Sequence, residues 1–534
     1  MSKTPSVAIV GAGPGGLSAA VLLAASGAKV TIFESQQRLG GRTSRVSLAG
    51  ASGDTFGFDR GPTFFLMPYV LDEIFAAAGS KTSDHVELKR LDPMYRLLIG
   101  RDGQAPMQID ATQDIPEMAR RIAQYSPADG AAFQRFIRDN RKKLALSEPI
   151  LRKAIRSPLD LASPKHLPIL PILKPHKTVH DLLGEYFTDE HIKLAVSFQS
   201  KYLGMSPFEC PSLFTILPFI EYEFGVWHPM GGCHALMHAL AEVAEQGGAT
   251  IELGAAVDRI TFTGQRATGV VVNGQEQRFD AVVVNADAPW ALTNLIPEGS
   301  RTGSASRYRD DKVDAMRYSC STYMLYLGVD GAVDHLPHHT IYTSGDYKGN
   351  LDDIANNGRL SADPSVYICN ASRTDPSLAP GGKSSLYVLV PTPNCRAGKT
   401  GDKVDWQREA GPLRERTLDQ IERVFGIEDI RERILAEEQI TPDDWRASNI
   451  KFGATFNLAH NLGQMLHLRP QNKLKGFEGV YLVGGGTHPG SGLPTIFLSS
   501  QISSRLLCEE FGLSYAGDRV AVRPIEESPQ PIGV

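Results

Sequence analysis

Val7-Ala8-Ile9-Val10-Gly11-Ala12-Gly13-Pro14-Gly15-Gly16-Leu17 is the stretch on which the fold is read. Val7 to Val10 is a short β-rich apolar run, and Gly11 to Gly16 is a glycine turn. Residues 17–25 form an Ala/Leu-rich helical pattern, ended by Ser26-Gly27. Residues 29–33 are a second strand, and Glu34 follows it, 23 residues after Gly11. Gly11 permits the tight turn, Gly13 lets the backbone approach a pyrophosphate, and Gly16 lets helix and strand pack closely. The helix N-terminus offers free N–H groups to phosphate, and Glu34 accepts from ribose hydroxyls. An acid at this position disfavours a ribose phosphate, and with it NADP.

Working outward, residues 479–483 read as a strand, Gly484-Gly485-Gly486 as a second glycine turn and residues 493–511 as a helix. Between the two ends, residues 225–290 carry a helix at about 235–246 and β-like runs around 251, 257–262, 270–272 and 282–284. Residues 71–224 are helical in pattern. Residues 291–473 mix strands at 322–329 and 385–390 with a helix at about 411–424. The expected fold is α/β: a Rossmann-like domain, discontinuous in sequence (1–70, 225–290 and 474–515), with an inserted α+β substrate domain (71–224 and 291–473). Residues 516–534, rich in Pro and charge, are expected to be a disordered tail.

Composition excludes several classes. The 534 residues allow two to four domains of roughly 150 residues. A net charge of −5 argues against a broad nucleic-acid footprint. The six cysteines stand singly, without CxxC spacing, so reduced thiols are expected and no metal site. Cys233 has no activating arrangement, and no GxSxG elbow follows a strand. The first apolar run is broken by Gly11 and Pro14, and no stretch of about 18 uncharged apolar residues occurs, so any membrane contact is expected to be peripheral, from the cytoplasmic side.

Further motifs sharpen the reading. Arg38-Leu39-Gly40-Gly41-Arg42 follows the second strand. Phe58-Asp59-Arg60-Gly61-Pro62-Thr63, Gly225-Val226-Trp227-His228-Pro229-Met230-Gly231-Gly232, Thr374-Asp375-Pro376-Ser377-Leu378-Ala379-Pro380 and Gly484-Gly485-Gly486-Thr487-His488-Pro489-Gly490-Ser491-Gly492-Leu493-Pro494 come after it in order. With these motifs the chain resembles the FAD-dependent amine oxidase and phytoene desaturase superfamily, and within it the bacterial carotenoid (phytoene-type) desaturases. The resemblance implies FAD, with Gly11, Gly13, Gly16 and Glu34 on its ADP half and Gly41 and Arg42 near the diphosphate. It further implies Val257 at the adenine, Gly61 and Pro62 among the cofactor contacts, and Gly485, Gly486 and Gly492 beneath the flavin. His488 is a candidate catalytic base, and its fixed place in a Gly/Pro turn suits a structural hydrogen bond just as well. The implied reaction introduces conjugated double bonds into a long polyisoprenoid such as phytoene or diapophytoene, with oxygen or a quinone as electron acceptor. Alternatives are a carotenoid end-group oxidase, a carotene isomerase, a flavin amine oxidase, or a flavin-binding escort protein without turnover. Ser491, Leu493 and Thr495-Ile496-Phe497 depart from the smaller or more aliphatic residues of many phytoene desaturases, which bears on the substrate.

Residues 141–177 hold nine Lys or Arg against two acids, around the apolar run Leu167-Pro168-Ile169-Leu170-Pro171-Ile172-Leu173. Basic and apolar together, the segment is expected to dock on an anionic lipid surface, without an ordinary helix across its prolines.

Overall fold

The computed structural model describes residues 4–50, 53–101, 103–161 and 170–522. The glycine turn leaves the central strand of a five-stranded parallel sheet, ordered Val480–Leu482, Ala281–Val284, Ser6–Val10, Lys29–Glu34, Thr250–Leu253. Val7 pairs with Ala281 on one side and Val30 on the other. The central strands are almost wholly apolar because both faces are covered. Helices Pro14–Ala25, Cys233–Gln246 and Leu493–Phe511 share one core. The antiparallel strands Val257–Thr263, Arg266–Val272 and Gln275–Arg278 supply the other layer, where Ile260 and Val270 meet Ala8, Val10 and Phe33. This is a Rossmann-like domain assembled from three separated parts of the chain.

A second, seven-stranded sheet is ordered Ile434–Ile440, Ser321–Val329, Ser384–Thr392, Val366–Cys369, His339–Thr343, Tyr95–Arg101, Gln104–Ala111. Its pairs are antiparallel except that of Tyr95–Arg101 with His339–Thr343. Beside it, helices Pro127–Leu151 and Ile216–Phe224 place Phe133, Phe136 and Phe219 in one core with Tyr95 and Leu97.

Several expectations are corrected. The later helix runs Trp406–Arg423, starting five residues before position 411: Asp405 caps it, and burial of Trp406 and Leu413 carries it across Gly411-Pro412. The tail does not begin at 516. Ala516–Arg519 forms a 3₁₀ turn, Ala516 is fully buried and its N–H donates to Ser26 Oγ at 2.9 Å. Residues 523–534 lie outside the described residues. Leu170–Leu173 makes one helical turn despite Pro171, because a proline in a first turn forfeits no intrahelical bond. Leu167 and Ile169 lie outside the described residues.

The basic segment is also less free than its charge count. The Lys143 ammonium is buried and donates to Thr215 Oγ1 at 2.7 Å. Arg141 pairs with Glu223, Arg152 with Glu73 and Glu148, and Lys174 and Lys177 both with Glu185. Only Lys142, Lys153 and Arg156 are exposed among its described basic residues up to position 161. Among the described residues no helix is long and apolar enough to cross a membrane.

Candidate functional site

A cavity of about 570 Å³ lies between the two sheets. Its lining includes Gly11, Gly13, Glu34 and Val257 from the Rossmann side and Phe64, Phe198, Met324, Ile341 and Leu389 from the other. The size and mixed lining suit a small-molecule site.

The glycine turn is built for close approach. A Cβ on Gly16 would stand 2.1 Å from the carbonyl oxygen of Gly11, which itself has φ +98°. A Cβ on Gly13 would stand 2.9 Å from Asn285 Nδ2, and Asn285 donates to Gly11 O at 3.1 Å. The Asn285-Ala286-Asp287 turn, 274 residues away, therefore shapes the loop. Ala12 N–H donates to Glu34 Oε2 at 2.8 Å and Gln36 N–H to Oε1 at 2.9 Å. The carboxylate is thus oriented in the cavity wall with lone pairs left for hydroxyls.

Arg42 also lines the cavity, but not as a free cation. Its Nη1 donates to Thr455 O at 2.7 Å and it faces the buried Asp287. Burial lowers the guanidinium's pKa against Asp287's pull, and burial raises the Asp287 carboxyl against Arg42's. Gly41, Gly61 and Pro62 line the cavity too. A Cβ on Gly61 would lie 2.6 Å from Arg42 O, so only glycine lets these two loops meet.

At the second glycine turn, Gly485, Gly492, Pro494 and Ile496 face the cavity. Gly492, at φ +113°, opens helix Leu493–Phe511, whose N-terminal dipole and N–H groups favour negative charge there. Gly486 and Gly16 are packing positions rather than lining ones; a Cβ on Gly486 would stand 2.6 Å from Ala288 Cβ. His488 is corrected: it does not line the cavity. It is buried against the end of helix Pro127–Leu151, near the Ile150 and Lys153 backbone, and burial pushes its pKa down to about 4. The direction a side chain takes from a Gly/Pro turn is set by packing that the turn itself does not encode.

The donors and the cradle fit FAD. Two helix N-termini open on the cavity, a fixed carboxylate stands at the second strand's end, glycines clear the path between, and Thr455 Oγ1 is buried without a partner in the lining.

Sequence reasoning missed much of the remaining wall. Arg38, Arg60, Lys201, Tyr202, Tyr367, Tyr387 and Trp445 all line it. Arg60 lies 5.2 Å from the centre of the Trp445 ring. The Lys201 ammonium, 4.6 Å from the Tyr347 ring centre, is driven by burial to a pKa of about 7. Arg60 sits in a quoted motif and could have been named from it; Lys201 and Tyr202 stand in no motif. The motifs also clasp one another: Asp59 accepts from Cys233 and His234 N–H, and Asp375 from Gly231 N–H.

Behind Tyr202, Glu221 is fully buried, and its Oε2 accepts from Tyr95 Oη and Gln199 Nε2, both at 2.9 Å. Burial raises its pKa from 4.5 to about 7. The folded state therefore holds the extra proton: stability is intact below about pH 4.5 and falls as pH rises to about 7, by about 3 kcal/mol. Glu221→Gln should flatten that part of the profile of thermal midpoint against pH. A variant whose midpoint falls with pH as steeply as wild type contradicts the assignment.

Comparison with known proteins places this geometry. The family model for flavin containing amine oxidoreductase matches residues 14–508. The chain is 41% identical over 513 residues to a 4,4'-diapophytoene desaturase (4,4'-diapolycopene-forming) of Methylomonas sp, covering 96% of each chain. It is 40% identical to an all-trans-zeta-carotene desaturase of Myxococcus xanthus, covering 98% of this chain and 97% of that one. A 4,4'-diapophytoene desaturase (4,4'-diaponeurosporene-forming) of Staphylococcus aureus is 33% identical over 93% of this chain and 97% of its own. Among solved structures, an oxidoreductase from Methanosarcina mazei aligns with TM-score 0.60 at 18% identity, over 94% of this chain and 100% of that one. Cyclohexylamine oxidase from Brevibacterium oxydans IH-35A aligns with TM-score 0.56 at 16% identity, over 96% and 100%. At such identities the structural likeness speaks for the fold alone.

Proposed function

The chain belongs to the flavin-containing amine oxidoreductase family, and from that premise we propose that it is an FAD-dependent desaturase of a long polyisoprenoid carotenoid precursor. The observation that carries this reading is the cavity itself, whose dinucleotide turn is continuous with an apolar and aromatic wall (Phe64, Leu66, Phe198, Met324, Ile341, Leu389). The full-length similarity to named carotenoid desaturases supports it. Gly11, Gly13 and Glu34 would hold the ADP half of FAD, Val257 the adenine, and Gly485 and Gly492 the flavin end, with Arg42 bridging the two through Thr455. When bound, FAD supplies the two-electron acceptor for the hydride lost from one substrate carbon. The protein excludes water and aligns an unactivated chain that offers no polar handle, so orientation provides most of the selectivity. Oxygen or a quinone then serves as the final acceptor.

The test is expression in cells that make either diapophytoene or phytoene; relatives acting on diapophytoene and on zeta-carotene stand at 41% and 40% identity, so both lengths belong in it. Loss of two hydrogens per step by mass, with absorption moving to longer wavelength, is the expected outcome. Unchanged substrate in both hosts rejects the reading.

Docking on the cytoplasmic face of a membrane is proposed through the exposed Lys142, Lys153 and Arg156. Each basic residue near an anionic surface contributes about 1 kcal/mol. Reversing all three to Glu should therefore abolish salt-sensitive sedimentation with anionic liposomes while FAD content stays constant. Sedimentation equal to wild type places the docking surface elsewhere.

A further inference from the structure

Desaturation removes a proton as well as a hydride, and the cavity wall holds a tyrosine hydroxyl paired with a buried imidazole. Tyr367 lines the cavity beside Thr63 and Phe64. Its Oη lies 2.7 Å from Thr63 Oγ1 and 2.8 Å from His339 Nδ1. His339 is fully buried and stacks on Phe64, ring centres 4.0 Å apart. Behind it the rings of His338 and His228 follow at 4.4 Å and 4.7 Å, and His228 Nε2 lies 3.4 Å from Asp375 Oδ2.

The imidazoles nearest the cavity are uncharged, which leaves a lone pair on each ring, and an ionised carboxylate stands at the far end of this file. Burial, with the neighbouring imidazoles, pushes His338 and His339 well below the usual histidine range; Lys89 adds to this at His338. Both are therefore neutral, and the Nε2 atoms of both are buried without partners. Burial alone would raise the Asp375 carboxyl, but hydrogen bonds from His228, Ser377 and Gly231 N–H hold it below the carboxylate range. A proton arriving on the imidazoles thus meets a permanent negative charge in the same file. The Cys369 thiol, its pKa raised chiefly by burial, stays neutral beside it.

We propose that Tyr367, backed by His339, accepts the proton released in desaturation. This rests on the desaturase reading above. Once the hydride and its electron pair have left one carbon for the flavin, the neighbouring C–H bond breaks. Its electron pair becomes the second bond of the new C=C, and the proton bonds to Tyr367 Oη as the phenol's own proton passes to His339 Nδ1. The imidazolium so formed faces Asp375 through His338 and His228. Tyr367 is thereby a catalytic residue and His339 a positioning residue that acts through it.

The experiment uses the full-length, FAD-loaded protein with diapophytoene or phytoene dissolved in liposomes. It measures the anaerobic rate at which the oxidised flavin band bleaches. Tyr367→Phe keeps the ring and removes the oxygen; His339→Gln keeps a hydrogen-bonding group for Tyr367 but cannot take a proton. Both should slow reduction by at least about 100-fold, the scale of general acid–base contributions. FAD content and equilibrium affinity for the polyene product, read without turnover, should match wild type. A Tyr367→Phe enzyme reduced at the wild-type rate overturns the proposal, as does full activity in His339→Gln. So does a loss of rate that is matched by loss of FAD or of product affinity. Absence of reduction in the wild type with both substrates overturns the desaturase reading and this proposal with it.

Discussion

Gly13→Val should give a folded chain that binds FAD about 100-fold more weakly than wild type, or not at all. Gly13 has φ −82° and ψ −179°, a conformation open to any residue, so the cost is not backbone strain. The cost is room. A Cβ there already stands 2.9 Å from Asn285 Nδ2, and the two further methyls of valine fill the space where a diphosphate must pass the backbone. A 100-fold loss corresponds to about 2.7 kcal/mol. Gly16→Val is the contrasting variant: its Cβ would stand 2.1 Å from a backbone oxygen, so it should fail at folding rather than at binding. Flavin absorbance retained through gel filtration, with circular dichroism for the fold, separates the two. Stoichiometric FAD in Gly13→Val puts the diphosphate elsewhere.

The second large effect is expected at Arg469, which has no exposed surface. Its guanidinium donates to five backbone carbonyls: Thr487 and Gly485 in the second glycine turn, and Leu458, Ala459 and Gln464 beside it. Burial pulls its pKa down to about 9, yet it remains charged at neutral pH. One side chain therefore ties the second glycine turn to the loop that precedes it, through a planar fork that lysine cannot reproduce. Arg469→Met takes the guanidinium donor from the buried Thr487, Gly485 and Leu458 carbonyls, a loss on the order of 3–5 kcal/mol. The expected result is a sharply lowered thermal midpoint together with loss of FAD, and Arg469→Lys should recover little of either. A methionine variant with wild-type midpoint and flavin content removes Arg469 from this role.

How much of this was legible in the chain follows from distance along it. The first turn with Glu34, and the helix Leu493–Phe511 with Gly492 at its start, were readable because strand, turn and helix signals lie within a few dozen residues and each answers a local steric or hydrogen-bonding need. The basic segment misled for the complementary reason. Counting charge along the chain ignores partners, and Arg141 meets Glu223 82 residues on, while Arg152 meets Glu73 79 residues back. His488 was visible as a member of a Gly/Pro turn, but its side chain is turned away from the cavity by packing against a helix that ends at Leu151.

What the amino-acid sequence determined by itself is the strand–turn–helix unit and the kind of ligand it suits, since glycines, a helix N-terminus and an acid at fixed spacing constrain the backbone directly. Only the tertiary structure decided which groups surround the reacting end. Lys201, Tyr367, His339 and Arg469 come from four separate segments, and none stands in a motif read from the sequence. Their chemistry (a lysine with a pKa near 7, neutral histidines beside an ionised aspartate, an arginine on five carbonyls) arises from burial and from partners that become near only when the seven-stranded sheet closes over the Rossmann domain.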